Sequence, residues 1–361
     1  IGCAAIILAG LAYKDKEKYL DYGLVLLKKI INFSFNSEGF PKSRNFRQLI
    51  FYLKYFILIR EWLKESQNEI PEYLNEIIFN LGQAYNFSWQ NTNQSFLFNG
   101  NHVVDNSNFD KYLKFHGYKF KNENNECGGY IILKNKNILL TTDIGTAPEK
   151  KFSNNYQSGT LSFEIYFKGK KLISNSGYFQ NYKHQLNSIS RSTASHSTLT
   201  IDNRSSTKLK KNTDGSLIIN KAAKIIKKNI VSEKDYFNIV ASHDGYLKEY
   251  GIIHERKIEF FTKSNKFIGK DKLIKKKNFK STNFEIRFHF EPGIKITKTQ
   301  EGKTILIELT NSGWRFFCKE HPIDVETGLY FGKKSSFSEN QNIFISGFTN
   351  NQEQEISWEI I

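Results

Sequence analysis

Methionine is absent from the 361 residues, and cysteine and proline are scarce, with three and five residues respectively. Cys3, Cys127 and Cys318 lie far apart and lack the short spacings of metal or redox motifs, so we interpret them as buried small residues. The apolar run from Ile1 to Ala12 is too short to cross a bilayer, and no longer run occurs in the sequence. Disulfide frameworks, cysteine metal sites and a membrane-spanning helix are therefore not expected.

The beginning of the chain also lacks the succession of basic, apolar and small residues that marks a signal peptide. Ile1 already lies within an apolar helical pattern. We therefore expect that the chain begins inside a longer protein, so that the missing leader gives no information on its compartment.

Basic residues outnumber acidic residues by 52 to 36, which gives a formal net charge of +16. A field of this sign attracts polyanions such as acidic polysaccharide, acidic lipid or nucleic acid. A general bias towards lysine on solvated faces explains the same charge, and both interpretations stay open. The lysine-rich stretches 208–211, 221–228 and 275–280 lack interleaved aromatic residues, so we expect solvated strand ends there and no binding of nucleic acid.

Apolar residues recur at spacings of three and four over the first hundred residues, which predicts amphipathic helices. A polar break around Gly39 separates an early pair of helices from a second apolar pattern at Leu49 to Leu63. Pro71 suits the first turn of the helix that follows. Successive antiparallel helices build bundles, solenoids or toroids, and the pattern does not separate these three.

From about Asn99 the pattern changes to short β-branched and aromatic runs separated by glycine, asparagine and lysine. Runs of this kind predict an antiparallel β-sandwich. They occupy 130–133, 138–142, 161–167, 172–173, 198–201, 217–219, 252–253, 258–262, 284–290, 304–309 and 343–348. We therefore predict a helical domain at 1–98, a β-domain at 99–361 and a polar linker zone at 86–110.

A histidine among small hydroxyl residues gives the strongest local signal, in the stretch from Ser190 to Asp202. His196 leads directly into a predicted strand, where its neighbours can hold the imidazole at a sheet edge. Arg191 lies five residues earlier and suits bidentate recognition of a carboxylate. A structural turn explains the same residues, and both interpretations stay open.

This stretch and several others resemble successive landmarks of the heparinase II/III-like family. In chain order the landmarks are Glu38–Asn45, Leu97–Gly100, Gly159–Ile165, Asn175–Tyr178, Arg191–Thr198, Ser242–Tyr246, Tyr250–Gly251, His254–Arg256, Arg287–Phe290 and Gly313–Phe316. The resemblance covers nearly the whole chain and implies an α+β multidomain fold. It implies the C-terminal part of an (α/α) toroid, with its N-terminal part missing, followed by a large antiparallel β-sandwich.

The resemblance further implies β-elimination of uronic-acid-containing polysaccharide, with acidic polysaccharide as the partner. In this reaction the substrate carboxylate is neutralised, a base removes the C5 proton, and an acid protonates the leaving O4. Asparagine, arginine or histidine suits the first role, and tyrosine or histidine suits the others. We predict catalytic roles for His196, Arg191, His243, His254 and Arg256, and substrate binding by Arg44, Asn45 and Asn175.

Simpler interpretations compete with several of these roles. Asp244 could orient His243, but an Asp-Gly pair is also a strong turn signal, which we favour for Asp244 and Gly245. His254 and Arg256 alternate on one face of a strand, so both would point into a cleft or both into solvent. Arg44 could neutralise a carboxylate or tie a loop to a helix end.

The sequence departs from the family pattern where the resemblance implies catalysis and metal binding. The resemblance places Asn155 and Gln157 at a His-x-His pair, whose first histidine acts in catalysis and whose second binds a structural metal, usually zinc. It places Asn175 at a metal-binding aspartate and His196 at the remaining metal-binding histidine. Amides are poor zinc ligands, so Gln157, Asn175 and His196 predict at best a weak zinc site, and no cofactor is expected with certainty.

Two further elements of the family pattern are missing. Its Asn-His element would lie upstream of this chain, and its tyrosine has no counterpart at 43–48, although Tyr52 and Tyr55 follow. Two functions are therefore carried forward. The first is a polysaccharide lyase, and the alternative is a non-catalytic carbohydrate-binding or envelope-polysaccharide protein on the same fold. For either one the resemblance implies a periplasmic or cell-envelope location, while the oligomeric state is not predicted.

Overall fold

A computed structural model describes residues 1–13, 17–276, 280–333 and 336–361. The chain divides into two compact units, of which the first comprises Ile1–Gln94 and Val104–Gly128 and the second comprises Ser95–Val103 and Gly129–Ile361. None of the described helices is both long and apolar enough to cross a membrane. Within the lysine stretch 275–280, residues 277–279 lie outside the described residues.

This division differs from the single boundary expected between 98 and 99, because Ser95–Val103 belongs to the second unit before the chain returns to the first. The chain passes between the two units twice within the predicted linker zone 86–110, but this segment is not a solvated linker, since much of it is buried and bonded. Asn99 Nδ2 donates to Tyr130 Oη (2.5 Å) and Asp143 Oδ2 (3.1 Å) within the second unit. The asparagine side chains that suggested a solvated linker instead satisfy buried polar groups.

The first unit is helical, as the apolar spacing predicts. Its helices are α1 (Gly2–Ala12), α2 (Glu17–Ser34), α3 (Phe46–Glu65), α4 (Glu72–Tyr85) and α5 (Ser107–Phe115), with a π-helical turn at Asn86–Gln90 and a short strand β1 (Glu126–Cys127). Helix α5 is tied to the end of α4, because Asp110 accepts hydrogen bonds from Tyr85 Oη (2.9 Å) and Trp89 Nε1 (3.0 Å).

Two glycines allow α1 and α2 to pack closely. A Cβ atom at Gly10 would lie 2.4 Å from the backbone nitrogen of Leu20, and a Cβ atom at Gly23 would lie 2.5 Å from Ile7 Cγ1. Glycine inside a helix costs roughly 1 kcal/mol relative to alanine. The close approach of the two backbones, which any side chain would prevent, explains why glycine stands at both positions.

The second unit is built from antiparallel strands. They are β2 (Tyr130–Lys134), β3 (Ile138–Asp143), β4 (Phe163–Phe167), β5 (Lys170–Ile173), β6 (Leu199–Ile201), β7 (Lys208–Lys211), β8 (Leu217–Lys221), β9 (Ile225–Ser232), β10 (Tyr236–His243), β11 (Ile252–Phe261), β12 (Lys266–Lys275), β13 (Asn283–His289), β14 (Lys295–Lys298), β15 (Thr304–Leu309), β16 (Ser312–Phe317), β17 (Ile323–Tyr330), β18 (Ser338–Phe348) and β19 (Glu353–Ile360). The short helices α6 (Gln185–Ser190) and α7 (Leu247–Tyr250) and single 3-10 turns at Lys150–Phe152 and Thr193–Ser195 connect them.

Two sheets of the second unit face each other and enclose the core. One has the strand order β14, β15, β16, β19, β12, β11, β10, β9, and the other has the order β17, β18, β13, β6. Phe288 of the second sheet packs edge-on against Trp358 of the first, with ring centroids 5.0 Å apart, and Phe163 of β4 stacks on the same indole at 5.4 Å. The predicted fold class, helices followed by a large antiparallel β-sandwich, is confirmed.

Alternating burial along β11 and β12 shows how the sandwich forms. In β12 every second residue is buried, from Phe267 to Lys275, although the strand contains five charged side chains. Gly269 lies opposite Trp358 in the ladder, and a Cβ atom at this glycine would lie 2.0 Å from Trp358 Cζ2. The indole therefore occupies the space that a side chain at Gly269 would need.

Candidate functional site

Arg191 holds the beginning of the Ser190–Asp202 stretch in place. Its side chain is fully buried, and it donates from Nε to the carbonyl oxygen of Tyr156 (2.7 Å), from Nη1 to that of Leu217 (2.9 Å) and from Nη2 to that of Ser153 (2.9 Å). Burial lowers the pKa of Arg191 from 12.5 to about 10, so the guanidinium stays charged at neutral pH. The predicted bidentate grip on a substrate carboxylate is thus corrected, because all three nitrogens already bond to backbone carbonyls.

His196 is buried in the same stretch, with 1% of its surface exposed. Its Nδ1 lies 2.8 Å from the carbonyl oxygen of Ser192, and because a carbonyl only accepts, the proton is on Nδ1 and Nε2 carries a lone pair. No described residue bonds to this Nε2 atom, which is hidden from solvent. Burial lowers the pKa of His196 to about 4, so the imidazole is neutral at pH 7.

His289 reinforces the stretch from β13, the strand paired with β6; it was recognised only as part of the landmark Arg287–Phe290 and was not predicted as a site residue. Its Nε2 donates to the carbonyl oxygen of Ala194 (3.0 Å), which leaves Nδ1 to accept from Ser176 Oγ (3.1 Å). Burial, together with the nearby His196 and Arg287, lowers the pKa of His289 to about 3. The hydrogen bond between His289 and Ala194 joins residues 95 positions apart, so a local sequence pattern cannot predict it.

His243, His254 and Arg256 meet in the core of the sandwich, where Asp271 and Trp358 join them; we call these five residues the core network. Asp271 Oδ1 accepts from His254 Nε2 (2.6 Å) and Arg256 Nε (2.8 Å). Its Oδ2 accepts from Arg256 Nη2 (3.0 Å) and Trp358 Nε1 (2.9 Å). The Asp271 carboxylate therefore accepts four hydrogen bonds, and its negative charge balances the positive charge of the buried Arg256 guanidinium.

The protons of the core network are fixed by one backbone amide. Gly245 donates its N–H to His243 Nδ1 (3.1 Å), so His243 Nε2 carries a proton and donates it to His254 Nδ1 (3.2 Å). His254 Nε2 must then donate to Asp271. Burial lowers the pKa of both histidines, most strongly that of His243, while the Arg256 guanidinium holds the pKa of Asp271 below its ordinary value.

The expected catalytic roles of His243, His254 and Arg256 are corrected by this geometry. His254 and Arg256 do share one face of β11, as predicted, but that face points into the core and not into a cleft or solvent. Each side-chain nitrogen of His243 and His254 already has a hydrogen-bond partner within the protein, so none is available to a substrate. The favoured interpretation of Asp244 and Gly245 as a turn agrees with the structure, in which they follow the end of β10.

Gln157, Asn175 and His196, which we call the amide node, do not fit a zinc ion. Gln157 Oε1 accepts from the Gly100 amide (2.9 Å), while its Nε2 donates to the carbonyl oxygens of Gly177 (2.8 Å) and Ser190 (2.6 Å). Asn175 Oδ1 accepts from the Ser197 amide (2.9 Å), and its Nδ2 is buried without a partner among the described residues. Only His196 Nε2 offers an unshared lone pair, whereas structural zinc takes four ligands.

No group of three or more His, Cys, Asp or Glu residues that could hold a metal occurs in the described ranges of the chain. The donor chemistry of the amide node therefore argues against the zinc site that the family resemblance implies. Instead, the Gln157 amide bonds three separate segments of the second unit together, which is the structural task that a metal would otherwise perform.

Arg44 and Asn45 lie in the first unit, where the chain enters α3. Arg44 has a positive φ of 60°, donates its backbone N–H to the carbonyl oxygen of Pro41 (2.8 Å) and donates from Nε to that of Gly128 (3.1 Å). Asn45 caps α3, since its Oδ1 accepts from the Arg47 amide (2.9 Å). Both residues are buried, so their predicted contact with substrate stays a prediction while their structural contacts are evident.

One polar pair of the second unit, formed by a tyrosine with 2% of its surface exposed and a more exposed asparagine, was not selected from the sequence. Tyr178 donates its hydroxyl proton to Asn155 Oδ1 (2.9 Å), and Asn155 is only half-buried. The Tyr178 oxygen also lies close enough to Arg191 to raise the pKa of that guanidinium. Asn155 was noted only as a departure from the family pattern, and Tyr178 only as part of a landmark 23 residues away.

Comparisons with solved structures show what the fold resembles. A heparan sulfate lyase HepC mutant from Pedobacter heparinus superposes with a TM-score of 0.81 and 14% identity over 99% of this chain and 58% of that chain. The heparinase III BT4657 gene product gives 0.79 and 16%, with the same coverages, and another heparinase III gives 0.78 and 16% over 99% and 60%. At these identities the likeness establishes the fold alone.

The chain thus spans about three fifths of the length of these proteins. No curated protein matches it. A family model described as Heparinase II/III-like, C-terminal, matches residues 124–359. Because this match extends over well more than half of the chain, the protein belongs to the heparinase II/III-like family.

Proposed function

We propose that this protein is a polysaccharide lyase that cleaves uronic-acid-containing polysaccharide by β-elimination. Membership of the family and a fold shared with heparan sulfate lyases support a lyase. The single observation that carries the proposal within the chain is the hydrogen bond of 2.9 Å between Tyr178 and Asn155.

The two side chains supply the groups that the reaction needs. Because Tyr178 donates to Asn155 Oδ1, the Nδ2 hydrogens of Asn155 face away and can donate to a substrate carboxylate. Tyr178 first releases its hydroxyl proton to solvent, which turns it into the base. The phenolate then takes the C5 proton, the C5–H electron pair becomes the C4=C5 double bond, and the C4–O4 bond breaks. The proton then passes from Tyr178 to the leaving O4. The buried Arg191 cation stabilises negative charge on the tyrosine oxygen during proton removal.

His196 is retained as a positioning residue in this proposal. Its Nδ1 bond to Ser192 holds the turn that follows Arg191, and the Gly159 backbone packs over its ring. With its Nε2 hidden from solvent, direct proton transfer with substrate is not part of the proposal.

The test offers the complete chain a panel of uronic-acid polymers and follows the ultraviolet absorbance of the unsaturated product. Tyr178→Phe removes only the hydroxyl and is expected to lower kcat by at least about 100-fold, the usual effect of losing a general acid or base. Tyr182→Phe is the matched control, because Tyr182 is exposed and nearby in the chain. Unchanged turnover in Tyr178→Phe, with both variants folded by circular dichroism, would remove the pair from the mechanism.

A second candidate is a non-catalytic protein that binds acidic carbohydrate in the cell envelope. The amides at Asn155 and Gln157 favour it, because neither can act as a general base where the family resemblance places histidines. Saturable binding of a polymer together with no unsaturated product from any member of the panel would establish this candidate in place of the lyase.

A further inference from the structure

A pocket of about 320 Å³ opens in the second unit beside Arg191. Its walls include Arg191, Arg204 and Lys208, together with the hydroxyl residues Ser192 and Ser205. None of its described lining residues is acidic, and the apolar contribution is limited to two leucines, Leu209 and Leu217. The size lies at the lower end of the range for small-ligand pockets, roughly 300–1,000 Å³, which suits one substituted sugar ring.

The pocket contains hydrogen-bond donors that lack an acceptor among the described residues. Arg204 is exposed, and its guanidinium makes no hydrogen bond or ion pair with the described residues. Ser205 Oγ accepts from the Thr193 amide (3.0 Å), so its hydroxyl proton is left to donate elsewhere. A guanidinium and a hydroxyl that both lack an acceptor are suited to an oxyanion.

The charge around the pocket is also unbalanced. Lys208 and Lys221 are direct partners across the β7–β8 ladder, an arrangement in which like charges repel. Glu249 pairs with Lys208, and Lys221 and Arg204 lie near enough to add to the lowering of the pKa of Glu249. The Lys221 Nζ atom is hidden from solvent and has no hydrogen-bond partner among the described residues. Glu249 thus faces three cations, and the nearby Asp202 accepts a hydrogen bond from Tyr250 Oη (3.2 Å).

We propose that this pocket binds an oxyanion group, a sulfate or a carboxylate, carried by a saccharide chain. The proposal deepens the proposed function and rests on it for the saccharide part of the ligand. The arrangement of donors would fix the position of one sugar, while the chemistry takes place at another position of the polymer.

The test measures binding by calorimetry with three probes: a heparan sulfate hexasaccharide, a hyaluronan hexasaccharide that carries only carboxylates, and inorganic sulfate. Arg204→Ala is expected to weaken binding of an oligosaccharide about 10-fold or more. Arg315→Ala is the matched control, since Arg315 is an exposed arginine on β16 away from the pocket, and it should change the affinity by less than about 2-fold. The measurements are repeated in a Tyr178→Phe background, so that cleavage does not consume the probe.

The outcomes separate the two proposals. An Arg204-dependent affinity confined to heparan sulfate, and weakened by inorganic sulfate, assigns a sulfate to the pocket. The same dependence with hyaluronan assigns a carboxylate. Equal losses in Arg204→Ala and Arg315→Ala, or no binding of any probe, overturn the pocket, even if unsaturated product is formed. Arg204-dependent binding without product from any polymer keeps the pocket and overturns the lyase.

Discussion

The core network and the amide node are both buried in the second unit, yet they differ in how completely their polar atoms are bonded. In the core network Asp271 receives four donors and the proton positions follow from one amide. In the amide node His196 Nε2 and Asn175 Nδ2 have no partner among the described residues. Complete bonding indicates a group that holds the fold, whereas the unpartnered atoms of the amide node are donors and acceptors whose hydrogen-bonding capacity the fold leaves unused.

The largest expected effect comes from breaking the core network at its centre. Asp271→Asn would leave the buried Arg256 guanidinium without its counter-charge, so the free energy of unfolding should fall by about 3–5 kcal/mol. Asp324→Asn is the control, because its pair with Lys298 is exposed and should contribute less than about 1 kcal/mol. Urea denaturation of the two variants measures the difference. Equal stabilities would mean that the core network contributes no more than a surface ion pair.

Acid should weaken both clusters, because each depends on neutral histidines: His243 and His254 in one, His196 and its neighbour His289 in the other. Their folded pKa values are lowered, so below the unfolded value of about 6.5 only the unfolded chain takes up protons. The stability is present above that pH and is lost as the pH falls. For His196 and His289, whose pKa values are lowered to about 4 and about 3, the loss between pH 7.5 and 5.5 should be about 1.4 kcal/mol per histidine, or about 3 kcal/mol for the pair. His243 and His254 should add a loss of the same sign.

Urea midpoints measured across this pH range test that loss. His289→Gln keeps an amide donor for Ala194 and removes one titrating group, so its pH slope should be smaller by about one proton. A slope that stays the same in this variant would contradict the assignment of a neutral, buried His289.

A smaller effect should follow from turning the amide node into a metal site. Gln157→His combined with Asn175→Asp would add two zinc ligands to His196 Nε2. The double variant should bind about one zinc per chain by elemental analysis and gain about 2.7 kcal/mol of stability at a zinc concentration 100-fold above Kd. The unchanged chain should contain no stoichiometric zinc and show no shift in Tm with zinc. Stoichiometric zinc in the unchanged chain would refute the interpretation of Gln157 as a hydrogen-bonding replacement for a metal ligand.

Much of the fold was predictable from residue spacing, while the site was predictable only in part. The strand runs at 130–133 and 138–142 were recognised because β-branched, leucine and aromatic residues follow one another there, and the run at 284–290 because aromatic and aliphatic residues alternate with polar ones. Strand β12 was not, because its lysines and Asp271 resemble a solvated segment and its buried aspartate needs Arg256 on the neighbouring strand to become tolerable. Asn99 was likewise assigned to a linker, although its bonds to Tyr130 and Asp143 place it in the interior.

By itself the sequence determined the change from helical to β periodicity and the shared face of His254 and Arg256, because both depend on neighbours within a few residues of the chain. Only the tertiary structure decided that this face points into the core, that Arg191 bonds to backbone carbonyls, and that Tyr178 meets Asn155. Those outcomes depend on which segments become neighbours in space. Burial then determines whether a charged side chain meets water, a substrate or another residue of the same chain.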